Sequence, residues 1–400
     1  MTEEHRKSSA PAALETRLVH AGRTDKRVVA APVYRASTIL FKDYDELCAR
    51  EKAPLDRDHL YYGRMGLPTP RALEDAICEL DNSAGAVLTP SGVASITDIL
   101  SCFLSPGDHL LMVDSVYGST RKFCRNALAS RGIETEFYDP MVGGGIDALI
   151  RENTALIFLE SPGSATFEFL DVPAIAACAK RRGVLTAIDN TWATPLLFDP
   201  LAAGVDLSMQ SGTKYLNGHA DCLFGVTTSR DPELLMRLRR YTLSTGSYLS
   251  GDDAMLALRG LRTLPIRLAA HDRGARTVAK WLATQAEVTR LLHPAWESCP
   301  GHEMFKRDFS GANGLFGLQL RVGGEAGLRA FFDSLQLFGI GYSWGGFESL
   351  CLPMEPTRET ASLNIGEDES LIRLHIGLEN PDDLIADLDA ALIAMRAAVS

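Results

Sequence analysis

Four short polar segments in this sequence each follow an apolar, strand-like run, and each carries residue types that can do chemistry. Thr89-Pro90-Ser91-Gly92-Val93 comes after AGAVLT and opens a helical pattern. The backbone N–H groups of Gly92 and Val93 therefore stand where a helix start can bind an anion such as phosphate. Tyr117 comes after HLLMVDSV and precedes a glycine, a position from which its ring can stack on a planar ligand. Asp189 ends GVLTAID, and a carboxylate at a buried strand end needs a cationic or hydrogen-bonding partner. Ser211-Gly212-Thr213-Lys214-Tyr215 follows VDLSMQ and sets an amine beside two hydroxyls that can hold an anion. A lysine drawn toward a sheet edge loses hydration of its charged form and becomes an amine nucleophile. Each segment also has a plain reading: a serine-capped turn, an aromatic plug, a capping aspartate and a solvent-facing lysine.

The elements that must position these residues alternate along the chain. From residue 71, helix-like RALEDAICELD, GVASITDILSCFL, TRKFCRNALASRG and VPAIAACAKRRG are interleaved with strand-like AGAVLT, HLLMVD, TALIFLE, GVLTAID and VDLSMQ. Such alternation predicts a parallel sheet with helices on both faces. In an open sheet of this kind, ligands bind beyond the carboxyl ends of the strands, which is where all four segments fall. After residue 250 the rhythm changes. A long helical stretch, interrupted around Pro265, leads to GLFGLQLRV, AGLRAFFDSL, the glycine-rich FGIGYSWGGFESL, the strand LIRLHIG and the helix PDDLIADLDAALIAMRAA. The expected division is an N-terminal arm (1–60), a ligand-binding domain (61–255) and a smaller C-terminal α/β domain (256–400). Residues 1–13 read as a polar tail without the apolar core of a secretory signal.

Composition narrows the function classes. The 400 residues carry 40 basic and 51 acidic side chains, and the net charge of −11 opposes general binding to nucleic acid or to an anionic membrane surface. No apolar run approaches the roughly 20 residues needed to span a bilayer. The eight cysteines form no CxxC pair and sit mostly in apolar surroundings, as buried thiols of a reducing, cytoplasmic setting do. His302-Glu303 opens like a zinc-binding HExxH, but Lys306 stands where the second histidine is required.

A phosphate cradle, an aromatic stacker, an acid and a lysine on one sheet edge form the set that pyridoxal 5'-phosphate requires. At this point the chain resembles the Cys/Met-metabolism family of pyridoxal-phosphate enzymes from about Thr16 to Leu392. The likeness is carried by YYGRMGLPTPRALEDAICEL, FLESPGSATFEFLDVPAIA, AIDNTWATPLLFDPLAAGVDLSMQSGTKYLNGHAD, LRGLRTL, YSWGGFESL and LIRLHIGLENPDDLIADLDAAL. It implies the fold-type I, aspartate-aminotransferase-like architecture. It also implies roles: Lys214 as cofactor-bearing residue and proton shuttle, Asp189 on the pyridine nitrogen, and Tyr117 on the ring. Gly92, Val93, Ser211 and Thr213 would hold the phosphate, with Tyr62 and Arg64 reaching it from the neighbouring subunit. Arg373, which alone reads as a solvent-facing residue, would grip the substrate α-carboxylate with help from Ser343. A homotetramer built as a dimer of active dimers follows from the same resemblance.

Relatives acting at the γ-carbon typically carry Glu and Leu where this chain has Tyr342 and Trp344. The aromatic pair resembles the β-lyase branch and implies α,β-elimination of L-cystathionine to homocysteine, pyruvate and ammonia. Cystine or cysteine-conjugate cleavage and γ-chemistry are the alternatives. Lys122 departs from some relatives, which place an acidic residue there toward the distal end of cystathionine; it is either a specificity determinant or a surface charge. One rival stands outside the family. Gly341-Tyr342-Ser343-Trp344-Gly345 fits the G-x-S-x-G of serine hydrolases, with Asp368 and His375 following in order. The glycines and prolines after Ser343 oppose the helix that this motif needs.

Overall fold

The computed structural model describes residues 12–23, 27–360 and 365–399. Most of the expected polar tail therefore lies outside the described residues. Seven strands form the large sheet: β1 (Gly85–Thr89), β2 (His109–Val113), β3 (Glu134–Tyr138), β4 (Thr154–Glu160), β5 (Leu185–Asp189), β6 (Leu207–Ser211) and β7 (Gly225–Ser229). Their order is β1-β7-β6-β5-β4-β2-β3. β2 to β6 pair in parallel, whereas β7 runs antiparallel to both β1 and β6. The expectation of a parallel sheet thus holds for most of it and fails at β7. That strand is fully buried yet reads Gly-Val-Thr-Thr-Ser, with neither an apolar run nor an alternation to reveal it.

Local chemistry explains the flanking helices. The helix Gly92–Phe103 starts at Ser91, whose Oγ accepts from the Ala94 amide at 3.1 Å. The helix Val172–Arg182 starts at Asp171 in the same way and ends at Gly183 in the left-handed region. The long C-terminal helical stretch breaks between Leu261 and Leu264, and Pro265 occupies the first turn of the second piece, Leu264–Leu282.

That helix leads into the smaller unit. Leu264 and Leu268 pack with the large unit, whereas Ala275, Val278 and Leu282 belong to the smaller unit's core. Four antiparallel strands, β8 (Val288–Leu292), β9 (Leu315–Arg321), β10 (Leu350–Met354) and β11 (Glu369–His375), lie in the order β10-β11-β9-β8. Buried hydrogen bonds bolt this unit to the active edge of the large sheet. Trp192 Nε1 donates to Leu315 O at 2.9 Å, and Asn313 Nδ2 donates to Trp192 O at 2.6 Å. Tyr215 OH donates to Asn313 Oδ1 at 3.0 Å and accepts from the Gly314 amide at 3.1 Å. A second tie is the segment before residue 361. Its Glu359 and Thr360 amides donate to Asp114 Oδ2, each at 2.7 Å, and Arg358 pairs with buried Glu168 at 2.9 Å.

Candidate active site

The carboxyl ends of β4, β5 and β6 and the loop before β10 converge. Lys214, just past β6, donates from Nζ to Ser343 Oγ at 2.7 Å, with Nζ 5.3 Å from the centre of the Trp344 ring. Burial, reinforced by the Arg373 charge, lowers the Lys214 pKa to about 8, against the pull of Asp189. A far larger share of the amine is therefore neutral near physiological pH than for an ordinary lysine, although the protonated form still predominates.

Asp189 ends β5 as a buried side chain. Its Oδ1 accepts from the Thr191 amide at 2.9 Å and from the Thr191 hydroxyl. Burial raises its pKa, and Thr191 and Lys214 only partly oppose that rise. Glu160 ends β4 in register with Asp189. Burial first, and then the Asp189 charge, push its pKa well up. Glu160 Oε2 accepts from the Tyr117 amide at 2.8 Å, fixing the backbone from which the half-exposed Tyr117 ring projects. Thr191 Oγ1 also accepts from the Ser211 amide at 2.8 Å, so one short chain of bonds links Asp189 to Ser211, one of the residues expected to hold phosphate.

The cradle is tightly built. A Cβ on Gly92 would stand 2.5 Å from Ser211 Cβ, so no larger residue fits at the helix start. The amides of Gly92 and Val93 occupy the first turn, where helical backbone donors have no intrahelical acceptor. The Thr213 hydroxyl is also engaged with the backbone just before β7, accepting from the Phe224 amide at 3.1 Å.

Arg373 on β11 is mostly buried rather than solvent-facing, and its guanidinium donates to Ser343 O at 3.1 Å. Tyr117 and Tyr342 lie within electrostatic reach of it. Of the expected site residues, Lys214, Asp189, Tyr117, Ser343, Trp344, Tyr342 and Arg373 are thus gathered, and Gly92 meets Ser211. Tyr62 and Arg64 are not: Arg64 NH1 donates to Leu243 O of its own chain. Lys122 is exposed. Sequence reasoning passed over Glu160, Thr191 and Arg358. Glu160 carried the same signal as Asp189, an acid ending an apolar run.

The serine-hydrolase arrangement is absent. Ser343 sits at φ 83° in a loop that leads into β10 rather than a helix. His375 Nε2 contacts the backbone of Gly345 and Gly346, and Asp368 pairs with Arg321.

The family described as Cys/Met metabolism PLP-dependent enzyme matches residues 15–393. The chain belongs to this family. Pyridoxal phosphate is accordingly its cofactor, and the architecture is that of the fold-type I enzymes. The chain is 42% identical over 389 residues to cystathionine beta-lyase MetC of Escherichia coli, covering 94% of this chain and 97% of that one. It is likewise 42% identical over 389 residues to cystathionine beta-lyase of Bordetella avium, covering 95% of this chain and 97% of that one. A solved cystathionine gamma synthase from Xanthomonas oryzae pv. oryzae, in complex with aminoacrylate and cysteine, is 33% identical with a TM-score of 0.88, covering 97% of this chain and 100% of that chain. The residues present suit a PLP site. A buried carboxylate with a raised pKa lacks a full counter-charge, a desolvated amine stands nearby, and Gly92 keeps a helix start open against Ser211.

Proposed function

We propose that this protein is a carbon–sulfur β-lyase that converts L-cystathionine to homocysteine, pyruvate and ammonia. The observation that carries the reading is Trp344. Its ring lies beside Lys214 Nζ and 5.4 Å from the Tyr215 ring, filling the space next to the reactive amine and favouring chemistry at the nearer β-carbon. Identity to beta-lyases along nearly the whole chain supports the same choice.

Pyridoxal phosphate, when bound, supplies an electron sink for the charge that develops at the substrate α-carbon. Lys214 would be its attachment point, and its free amine would take the α-proton on Nζ. The lowered pKa suits that task, because a base near the working pH is both free and strong enough. Asp189 would favour a positive charge on the cofactor's pyridine nitrogen. Arg373 grips the α-carboxylate, and its bond to Ser343 O ties that grip to the residue that aims Lys214. The Gly92 and Val93 amides with the Ser211 and Thr213 hydroxyls would hold the cofactor's phosphate, and Tyr117 would lie against its ring. Loss of homocysteine from the β-carbon leaves a three-carbon unit that hydrolyses to pyruvate and ammonia.

The same reading divides the chain into an arm (1–60), a PLP-binding domain (61–255) and a C-terminal domain (256–400). It also places Tyr62 and Arg64 in a neighbour's site within a homotetramer of two active dimers. Val29 and Leu40 on the arm, and Tyr62 just beyond it, are exposed, which suits cover by a second copy. Eight unpaired cysteines suit a cytoplasmic setting, and no helix among the described residues is long and apolar enough to cross a membrane.

Assays of purified holoenzyme on L-cystathionine, L-cystine and O-succinyl-L-homoserine test the reading. Cystathionine should give the highest kcat/KM. Preference for cystine would make the protein a cystine-type lyase, and replacement chemistry on O-succinylhomoserine would make it a γ-acting enzyme.

A further inference from the structure

His375 has no part in the chemistry above, yet it is buried on the strand that carries Arg373. Along β11, Leu371 packs with the large unit's core, whereas Ile372 and Leu374 pack in the smaller unit's core. Strand alternation therefore turns Arg373 and His375 toward the large unit as well. His375 Nε2 lies 3.1 Å from the Gly345 amide nitrogen and 3.0 Å from Gly346 O. Burial, then the neighbouring His271, lowers its pKa to about 3, so the ring carries one proton. The place of that proton sets the bond: on Nδ1 it leaves Nε2 to accept from the Gly345 amide, and on Nε2 it is donated to Gly346 O. Either tautomer ties the ring to the 345–346 backbone.

Gly345 is pressed from the other side. It stands at φ 85°, and a Cβ on it would be 2.9 Å from the Lys214 carbonyl carbon and the Tyr215 nitrogen. The loop is thus wedged between His375 and the backbone of the reactive lysine. Two residues earlier, Ser343 holds a left-handed backbone unusual for a side-chain-bearing residue. Such a conformation persists only where its surroundings over-determine it. Its side chain meets Lys214 and its carbonyl meets Arg373.

We propose that His375 is a positioning residue: by bonding the Gly345–Gly346 backbone through Nε2 it holds the 343–346 loop so that Ser343 bridges Lys214 and Arg373. The inference rests on the proposed lyase reading for its substrate, but not for its geometry. Gln at 375 can place its amide group where Nε2 stands; Leu fills similar space with neither donor nor acceptor; Asn is too short to reach Gly345.

The test compares His375→Leu and His375→Gln holoenzymes, each loaded with pyridoxal phosphate. His375→Leu should keep cofactor per subunit yet lose about tenfold or more in kcat/KM for L-cystathionine. The loss should lie mainly in KM, because Arg373 binds the carboxylate before any bond breaks. The pH midpoint of the cofactor's visible band should also move, because Ser343 no longer holds Lys214. His375→Gln should restore both readouts to near parental values. If the two variants behave alike, or if His375→Leu loses thermal stability while KM and band midpoint stay parental, His375 is only a core filler and the proposal fails. Should His375→Leu not fold, His375→Asn takes its place, with the same loss expected against intact His375→Gln. A parental protein that leaves cystathionine untouched would sink the lyase reading, and the band midpoint would still judge His375.

Discussion

Lys214 and Ser343 are 129 residues apart in sequence, yet Lys214 Nζ and Ser343 Oγ lie 2.7 Å apart. The contact joins the end of β6 in the large unit to the loop before β10 in the smaller one. The reactive amine and the Arg373 guanidinium thereby share one anchor, since Ser343 O accepts from Arg373. In the proposed mechanism, proton transfer and carboxylate capture would therefore be set by the same short loop.

The Lys214 environment predicts how the apoprotein meets its cofactor. A lysine with the ordinary pKa of 10.5 would be almost wholly protonated at pH 8, but burial brings this one to about 8. The rate of attachment, followed by the visible band or by borohydride trapping, should rise with pH through about 8 and level off above it. A rise continuing toward the ordinary lysine range would contradict the buried amine. Lys214→Ala should give no borohydride-trapped adduct and lose more than the ~10²–10⁴-fold typical of removing a general base alone.

Asp189→Asn should still load cofactor through the phosphate cradle but lose most of its turnover. An amide cannot neutralise the pyridinium charge, so the developing carbanion loses its stabilisation. Activity within about threefold of the parent, a scale of ~0.6 kcal/mol, would reduce Asp189 to a cap for Thr191.

Arg64 tests whether active sites are shared. Arg64→Ala and Lys214→Ala proteins should each be nearly inactive alone. Random reassembly makes about half the dimers hybrid, each with one of two sites intact, so recovery should approach roughly a quarter of parental activity. Absence of recovery, with subunit exchange confirmed by mass, would mean that Arg64 serves its own subunit.

Asp81, at the end of the helix Pro68–Asp81, predicts a stability effect remote from the site. It is buried without a well-formed hydrogen bond among the described residues, and burial raises its pKa from 3.8 to about 6, opposed only in part by the nearby Thr228 and Ser83. As pH rises from about 4 to 6, the unfolded chain ionises at this position while the folded one keeps its proton. Folded stability is therefore lost across that window, by about 2–3 kcal/mol for a shift of this size, and the deficit persists above it. Asp81→Asn should accordingly raise the thermal midpoint at pH 8 and leave it nearly unchanged at pH 4. Equal midpoints for parent and variant at pH 8 would show that the carboxylate is solvated.

Much of this arrangement was legible because apolar runs ended in chemistry. HLLMVDSV, GVLTAID and VDLSMQ became β2, β5 and β6 in the expected places, with Tyr117, Asp189 and Lys214 just where each run stops. Glu160 ended TALIFLE in the same fashion and could have been read too. β7 stayed hidden because its buried residues are mostly threonine and serine. Arg373 read alone as surface because a local pattern cannot show that its strand face meets another unit. The Ser343 backbone and the Arg358–Glu168 tie were likewise beyond local reading, since each depends on contacts made across the fold.

The most direct measurement is which carbon–sulfur bond of L-cystathionine breaks. Purified holoenzyme should release pyruvate and homocysteine in equal amounts, detected by coupled reduction of the keto acid and by thiol mass. Release of 2-oxobutyrate and cysteine, or racemisation of the substrate with no thiol formed, would contradict the account.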